Sequence, residues 1–259
     1  MKTIPQKQKF LISNKQAFYN KFFPYTTLNF SEIDKKAKKL AKNIETHFKD
    51  LVNILLEYES YEVVQDEVAR TLDLLKNLKE NKGYFKLRVG SVASFLPRNQ
   101  PLYTFCCFVV IPSLMASEVY FRIPRNMKIF FPKIINILEI KKLFPNIIIS
   151  SLERLEFLSE RSALLVNPKT KESRPVTDVV IFTGVSDHAN QLRMVFDKRT
   201  LFIANGAGHN PVVVSKGADL SKAIEAVMDL VLYNQGQDCS APNAILVHQA
   251  AYPNFIELL

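Results

Sequence analysis

The sequence predicts an α/β protein in which a largely parallel β-sheet is covered by helices on both faces. Three observations support this prediction. The 259 residues are 47% hydrophobic and 23% charged, which is enough apolar material for one large or two smaller domains. Residues 31 to 83 show helical periodicity. After Gly83, short β-rich runs alternate with helix-length segments, as in parallel strands joined by helical crossovers.

The N-terminal region, residues 1–83, is predicted to be an arm followed by a pair of helices. Ser31 and Asp34 mark a helix start, and apolar residues then recur at spacings of three and four as far as Leu55. This pattern predicts one long amphipathic helix. A second apolar repeat ends near Gly83, where glycine can adopt the left-handed conformation of a helix cap.

Six apolar runs predict the strands of the sheet. They cover residues 89–97, 118–123, 146–150, 178–184, 200–204 and 210–215. We therefore expect one α/β domain of dinucleotide-binding architecture over residues 84–215. Ligands of such sheets bind beyond the carboxyl ends of the strands, which makes the loops after these runs the candidate site.

Charge and cysteine content narrow the function classes. The net charge of +9 comes largely from lysines on the polar face of the first helix, so we expect a solvated face and no nucleic-acid partner. The sequence has no long apolar run and no secretory signal, which predicts a cytoplasmic protein without a membrane partner. The three cysteines form no CxxC pair, so neither a metal site nor a disulfide framework is expected.

Cys239 lies in an unusual setting, the stretch NQGQDCSAPN at residues 234 to 243. A cysteine nucleophile needs partial access, nearby backbone N–H groups and a turn that aims the sulfur. Cys106 and Cys107 lie instead in the apolar run TFCCFVV, a helix or a strand. Cys239 is therefore the candidate nucleophile, with a core thiol at a turn as the alternative.

The order of the loop motifs resembles the aldehyde dehydrogenase superfamily. The motifs are PRNQP (97–101), RIP (122–124), VVIFTG (179–184), NGAGHNPVVV (205–214), ADL (218–220) and GQDCSAP (236–242). The resemblance covers roughly residues 30 to 259. It implies a Rossmann-like domain that binds NAD or NADP, followed by a catalytic domain that carries the cysteine.

The resemblance implies the chemistry of aldehyde oxidation. Cys239 would attack the aldehyde carbonyl to give a thiohemiacetal and then an acyl-enzyme. The side-chain amide of Asn99 and the backbone N–H of the cysteine would bind the oxyanion. For Asn99, the alternative is a simple turn residue before Pro101.

Five residues are implied at the cofactor. Thr183 and Gly184 match the family's Phe-Thr-Gly turn, which precedes a helix whose N-terminal N–H groups suit a pyrophosphate. Gly206 and Gly208 would let the backbone pass close to the nicotinamide, and Pro97 belongs to the same edge of the sheet. A helix cap at Thr183 and a tight loop around the two glycines are the alternatives.

Several positions depart from the family pattern. The glutamate that activates the deacylating water aligns with Asn205, which cannot accept a proton. The stretch NGAGHNP instead resembles aldehyde dehydrogenases that pass the acyl group to CoA. The lysine that binds the adenosine ribose aligns with Ile123, flanked by Arg122 and Arg125, and the serine after Phe-Thr-Gly is Val185.

The family continues for well over a hundred residues past the cysteine. The resemblance therefore implies that residues 216–259, which begin with a helix from Asp219 to Tyr233, are the start of an incomplete, truncated catalytic domain. A homo-oligomer, or a partner that supplies the missing half, is a possible assembly. The alternative function is that of a non-catalytic family member that acts as an interaction protein.

Overall fold

The computed structural model describes residues 9–11, 27–206 and 208–259. The helices are α1 (Phe30–Thr46), α2 (Phe48–Leu55), α3 (Tyr61–Lys76), α4 (Pro101–Phe105), α5 (Ile111–Met115), α6 (Phe130–Ile137), α7 (Ile140–Leu143), α8 (Arg154–Arg161), α9 (Ser186–Val195), α10 (Leu220–Leu232) and α11 (Tyr252–Leu258). The strands are β1 (Lys9–Leu11), β2 (Val89–Phe95), β3 (Ala116–Arg122), β4 (Ile147–Ser150), β5 (Leu164–Val166), β6 (Ser173–Pro175), β7 (Val179–Thr183), β8 (Leu201–Asn205), β9 (Pro211–Val214) and β10 (Ala244–Val247). The rest of the predicted N-terminal arm, residues 1–8 and 12–26, lies outside the described residues.

The predicted long helix is two helices. The side chain of Asn29 caps α1 by accepting a hydrogen bond from the backbone N–H of Ser31 at 3.1 Å. At His47 the backbone leaves the helical conformation, with φ −104° and ψ 23°, and α2 follows directly. The prediction of one helix was wrong because both helices bury their apolar faces in the same core. The apolar period therefore runs across a break that no glycine or proline marks.

Five of the six predicted runs form one parallel sheet with the order β4-β3-β2-β7-β8. From the central strand β2 the chain moves to β3 and β4 on one side, and later to β7 and β8 on the other. The segments after β2 and β7 therefore leave the sheet in opposite directions. Such a switch point opens a crevice at the carboxyl edge.

The sixth run lies outside this sheet. β9 pairs in parallel with β10, and Val212 lies opposite Ile245. The expectation that residues 210–215 extend the main sheet was wrong, because an apolar run predicts a strand without specifying its partner. A further sheet, β1-β5-β6, consists of strands of three residues each, which were too short to give a pattern.

The sheet separates two apolar cores. One lies under α1 to α7 and includes the rings of Phe105, Phe121 and Phe131, whose centroids are 4.9 to 5.7 Å apart. The other lies under α8 and α9. TFCCFVV is helical, because a π-helical turn, Cys106–Val110, joins α4 to α5. β2 and β7 are buried along consecutive residues, as expected of inner strands covered on both faces, whereas β8 at the edge of the sheet is largely exposed.

Candidate functional site

The predicted site loops meet at the carboxyl edge of the sheet. Thr183, at the end of β7, lies opposite Asn205, at the end of β8. The backbone N–H of Gly184 donates to the Asn205 carbonyl at 3.0 Å, and the Asn205 amide donates to Thr183 Oγ1 at 3.3 Å. Pro97 and Asn99 follow the neighbouring strand β2, and both are half-buried. The structure therefore brings these residues to one edge.

The N-terminus of α9 opens at this edge. Its N-cap residue, Val185, makes no side-chain cap hydrogen bond, so the N–H groups of the first turn have no side-chain acceptor there. The preceding Gly184 has φ 155°, and a Cβ at this position would lie 3.0 Å from the Phe182 ring. A helix N-terminus next to a residue without a side chain has the geometry that anion binding requires, and it could hold a pyrophosphate.

The second strand of the site offers less to a cofactor. Ile123, where the resemblance implies a lysine, is a half-buried apolar residue. The Nε of Arg122 donates to the Leu152 carbonyl at 3.2 Å, so this guanidinium is held at the start of α8. Arg125 is exposed. Of the two arginines flanking Ile123, Arg125 is therefore the one that could meet a phosphate group.

Cys239 lies in a turn that packs against the loop after β8. The Asn210 amide donates to the Cys239 carbonyl at 2.6 Å, and the Asn243 amide donates to the Gly208 carbonyl at 3.1 Å. The backbone before the cysteine is tightly wound, because Asn234 and Gln235 both have positive φ, of 48° and 55°. These bonds fasten the cysteine turn to the NGAGHN loop.

The two glycines of that loop differ in their surroundings. A Cβ on Gly208 would overlap the Cys239 carbonyl and the Asn210 side chain, so this position requires glycine. A Cβ on Gly206 would make one ordinary contact, at 3.4 Å to Ser186 Oγ. The backbone at Gly208 therefore packs closely against the cysteine turn.

The three cysteines are free, and they differ in exposure: Cys106 is buried, Cys107 is half-buried and Cys239 is exposed. Burial raises the pKa of the Cys106 thiol well above its usual value. Partial burial, and then the charge of Asp238, raise the pKa of the Cys239 thiol. Cys239 is accessible to a substrate, but Asp238 disfavours its thiolate.

Sequence reasoning missed the polar residues that join the cysteine turn to the rest of the chain. The Gln100 amide donates to Asp238 at 2.5 Å, and the Tyr233 hydroxyl donates to Asp66 at 2.7 Å. Both contacts link the C-terminal part to residues before β3. No local pattern encodes them, because the partners lie 138 and 167 positions apart.

One buried polar residue close to these contacts could have been found from the sequence. Glu67 follows Val64 by three positions, which places a carboxyl group on the apolar face of α3. It is fully buried and accepts a hydrogen bond from the Tyr103 backbone N–H at 3.0 Å. Burial, and then the nearby Glu59, raise the pKa of Glu67 well above its usual value.

The family model of the aldehyde dehydrogenases matches residues 49–259. The chain belongs to the aldehyde dehydrogenase family. Benzaldehyde dehydrogenase YfmT of Bacillus subtilis is 33% identical over 87 residues, which are 32% of this chain and 18% of that protein. Retinaldehyde dehydrogenase 3 of Mus musculus is 30% identical over 86 residues, 32% of this chain and 17% of that protein.

Solved aldehyde dehydrogenase structures share the fold. The glyceraldehyde-3-phosphate dehydrogenase GapN of Methanocaldococcus jannaschii, complexed with NADP, has a TM-score of 0.72 and 21% identity, covering 89% of this chain and 53% of that chain. A 1-pyrroline-5-carboxylate dehydrogenase from Thermus with bound NAD has a TM-score of 0.71 and 17% identity, covering 94% and 50%. The chain therefore spans about half the length of these aldehyde dehydrogenases.

The part of the chain that the structure describes contains neither a membrane-spanning helix nor a cluster of metal ligands. Over residues 27–206 and 208–259, no helix is long and apolar enough to cross a bilayer. In the same part of the chain, no three metal-ligating side chains of histidine, cysteine, aspartate or glutamate cluster as an ion site would require.

Proposed function

We propose that this chain supplies the cofactor-binding and cysteine-bearing parts of an NAD(P)-dependent aldehyde dehydrogenase. One observation carries the proposal. The turn that holds Cys239 is hydrogen-bonded, through Gln100 and Asp238, to the loop that holds Asn99, at the carboxyl edge of the parallel sheet. The proposed nucleophile and oxyanion donor thus belong to two segments that are in direct contact, in a chain of this family.

The proposed first step forms a bond between Cys239 and the substrate. The thiol loses its proton to solvent, and the sulfur attacks the aldehyde carbon while the carbonyl electrons move to oxygen. The Asn99 amide and the Cys239 backbone N–H donate hydrogen bonds to this oxyanion. Bound NAD(P) would supply the hydride acceptor. When the carbon loses hydride the carbonyl re-forms, which leaves an acyl thioester on Cys239.

The acyl group would pass to a thiol such as CoA rather than to water. The Asn205 amide donates to Thr183 Oγ1 and has no proton-accepting form at neutral pH, so it cannot activate water. A thiolate acceptor needs no such base. The amide at position 205 therefore favours an acylating over a hydrolytic enzyme.

The cofactor would lie along the edge that runs from β2 to β8. Thr183, Gly184 and the first turn of α9 would bind its pyrophosphate. Gly206 and Gly208 would lie along the nicotinamide, and Pro97 would close the opposite side. The exposed Arg125 would donate hydrogen bonds to the additional phosphate of NADP.

The C-terminal part of the chain exposes apolar side chains that a longer catalytic domain would cover. Val213 of β9, Leu232 of α10 and Leu246 of β10 are exposed large side chains. The solved relatives are about twice as long as this chain, so we assign this surface to the rest of a catalytic domain or to a partner that supplies it. We propose that residues 84–215 form the cofactor domain and that residues 216–259 begin the catalytic domain, with β9 at the boundary.

A non-catalytic family member is the second candidate. One observation favours it: partial burial, and then the charge of the neighbouring Asp238, raise the pKa of the Cys239 thiol, whereas a catalytic cysteine needs a lowered pKa. The two candidates differ in whether Cys239 can carry an acyl group.

Transfer of an acyl group from a short-chain acyl-CoA tests the proposal. The Cys239 thiolate should displace CoA thiolate from the thioester, so mass spectrometry of the digested chain should find the acyl group on Cys239. Cys239→Ser is the control variant. The acyl-enzyme should persist in buffer and be released by added CoA, and Asn205→Glu should speed its hydrolysis by up to about 10²-fold.

Two outcomes would contradict this function. Equal acylation of Cys107 and Cys239 would show that acylation depends only on the accessibility of a thiol and not on an active site around Cys239. Rapid loss of the acyl group in buffer, indifferent to CoA, would show that water is the acceptor.

A further inference from the structure

We propose that Gln100 is a positioning residue that fixes the cysteine turn against the Asn99 loop by linking Arg70 to Asp238. The inference rests on the proposed roles of Cys239 and Asn99. Gln100 directly follows the proposed oxyanion donor, and Asp238 directly precedes the proposed nucleophile. One side chain therefore bridges the two segments that must cooperate.

The geometry of Gln100 is fixed at three points. Its Oε1 accepts from the Arg70 guanidinium at 2.9 Å, and its Nε2 donates to Asp238 Oδ2 at 2.5 Å. Its backbone N–H donates to Glu59 Oε1 at 2.6 Å, with the backbone in a left-handed conformation at φ 48°. The residue is only 6% exposed. A buried side chain with this many partners cannot change rotamer freely.

The order of donors and acceptors allows only one orientation of the amide. Arg70 can only donate and ionised Asp238 can only accept, so Gln100 must turn its oxygen to the first and its nitrogen to the second. Both of these hydrogen bonds involve a charged partner, which makes them stronger than neutral ones. The arrangement therefore specifies glutamine rather than merely a polar residue.

Both ends of this link are anchored. On α3, Arg70 pairs with Asp66 at 2.8 Å, and Asp66 also accepts from the Tyr233 hydroxyl. On the cysteine turn, the second oxygen of Asp238 accepts from the backbone N–H and the hydroxyl of Ser240, at 2.8 and 2.7 Å. Asp238 thus receives hydrogen bonds from Gln100 and, within the cysteine turn, from Ser240.

The consequence for the proposed reaction is a fixed distance between two reacting groups. The oxyanion forms on the oxygen bonded to the carbon that the sulfur attacks, so the Asn99 amide must lie at a set position relative to Cys239 Sγ. Without the link, only the bonds of Tyr233 to Asp66 and of Asn234 to Glu59 would hold the cysteine turn at this junction, and the two loops could separate more easily. A misplacement of about 1 Å can reduce a rate by about 10²-fold.

Exchanging the two bridging groups tests the link. Gln100→Glu places two carboxylates face to face, and Asp238→Asn places two NH₂ groups face to face, so each single change should break the bridge. The double variant restores it, because the new carboxylate can accept from both Arg70 and the new amide. Gln237→Glu, an exposed change in the same turn, controls for added charge.

Two measurements on the 259-residue chain report the result. Amide hydrogen exchange at 97–101 and 234–243 should rise about tenfold in each single variant and return to within about twofold of the parent in the double variant. The pH at which iodoacetamide alkylates Cys239 should rise in Gln100→Glu and return toward the parent in the double variant, because one carboxylate again faces the turn.

The outcomes separate this inference from the proposed function. A double variant as labile as the two single changes combined would overturn the link, as would single variants that exchange like the Gln237→Glu control. Failure of Cys239 to accept an acyl group in the parent chain would overturn the proposed function. The exchange data would still decide whether Gln100 holds the two loops together.

Discussion

The sheet with its helices buries far more apolar side chains than the C-terminal segment, residues 208–259. In the sheet, β2 has five consecutive buried residues, and apolar clusters pack on both faces. In the C-terminal segment, no residue joins either of these clusters among the described residues. Along α10, which is described throughout, Val227 is the one buried residue.

Hydrogen bonds at the junction fasten the segment to the rest. Gln100 bonds to Asp238, Tyr233 bonds to Asp66, and the Asn234 amide donates to Glu59 at 3.4 Å. Apolar packing is insensitive to pH and to the exact direction of a contact, whereas charged hydrogen bonds depend on both. We therefore expect the cysteine turn to respond to polar changes that leave the sheet intact.

The largest expected effect comes from the sheet. Phe121→Ala removes a fully buried ring from the cluster with Phe105 and Phe131, and should lower the free energy of unfolding by about 3–5 kcal/mol. Leu232→Ala on α10, at a position 66% exposed, should change it by less than about 0.5 kcal/mol. Denaturant unfolding of both variants measures the contrast. A similar loss of unfolding free energy in both variants would mean that α10 is covered in solution, which would contradict the difference between the two regions.

A smaller effect is expected where the NGAGHN loop meets the cysteine turn. Gly208→Ala should destabilise this contact by about 1–3 kcal/mol, because its Cβ would overlap the Cys239 carbonyl. Gly206→Ala is the matched control and should stay within about 1 kcal/mol, since its Cβ has room. Limited proteolysis within residues 234–243 measures the opening. Equal protease resistance of the two variants would argue against tight packing at Gly208.

The smallest expected effect concerns the pH dependence of the junction. Because burial and Glu59 raise the pKa of Glu67, its contribution to stability is fully present below the ordinary glutamate pKa. That contribution is lost as pH rises through the raised value. Glu67→Gln should remove this loss, so the variant should be more stable than the parent chain above the raised pKa.

Unfolding midpoints measured across a pH series would test this prediction. Glu62→Gln, an exposed change on the same helix, is the control. Parallel midpoint curves for the parent and Glu67→Gln would show that Glu67 ionises as easily in the folded chain as in the unfolded one.

Local patterns predicted the elements better than their partners. The runs for β2, β3, β4, β7 and β8 were found because each is a short stretch rich in apolar residues, although only β2 and β7 are buried along consecutive residues. The run for β9 looks the same in sequence, but it pairs with β10. Strand partners depend on contacts between distant segments, which the composition of one strand does not encode.

The candidate site shows the same division. Cys239, Asn99 and the Thr183–Gly184 turn were identified from the resemblance of their motifs, and their assigned chemistry remains a prediction. Gln100 and Arg70 were not identified, because each is an ordinary polar residue until a partner far along the chain comes within hydrogen-bonding distance.

The sequence by itself determined the family and the α/β class. These properties follow from short motifs and from apolar periodicity, which act over a few neighbouring residues. Only the tertiary structure decided that Gly208 packs on the cysteine turn and that Asp238 is held by Gln100. It also decided that partial burial, and then Asp238, raise the pKa of the Cys239 thiol. Such contacts join distant segments, and their strength depends on distance, direction and burial, which exist only once the chain has folded.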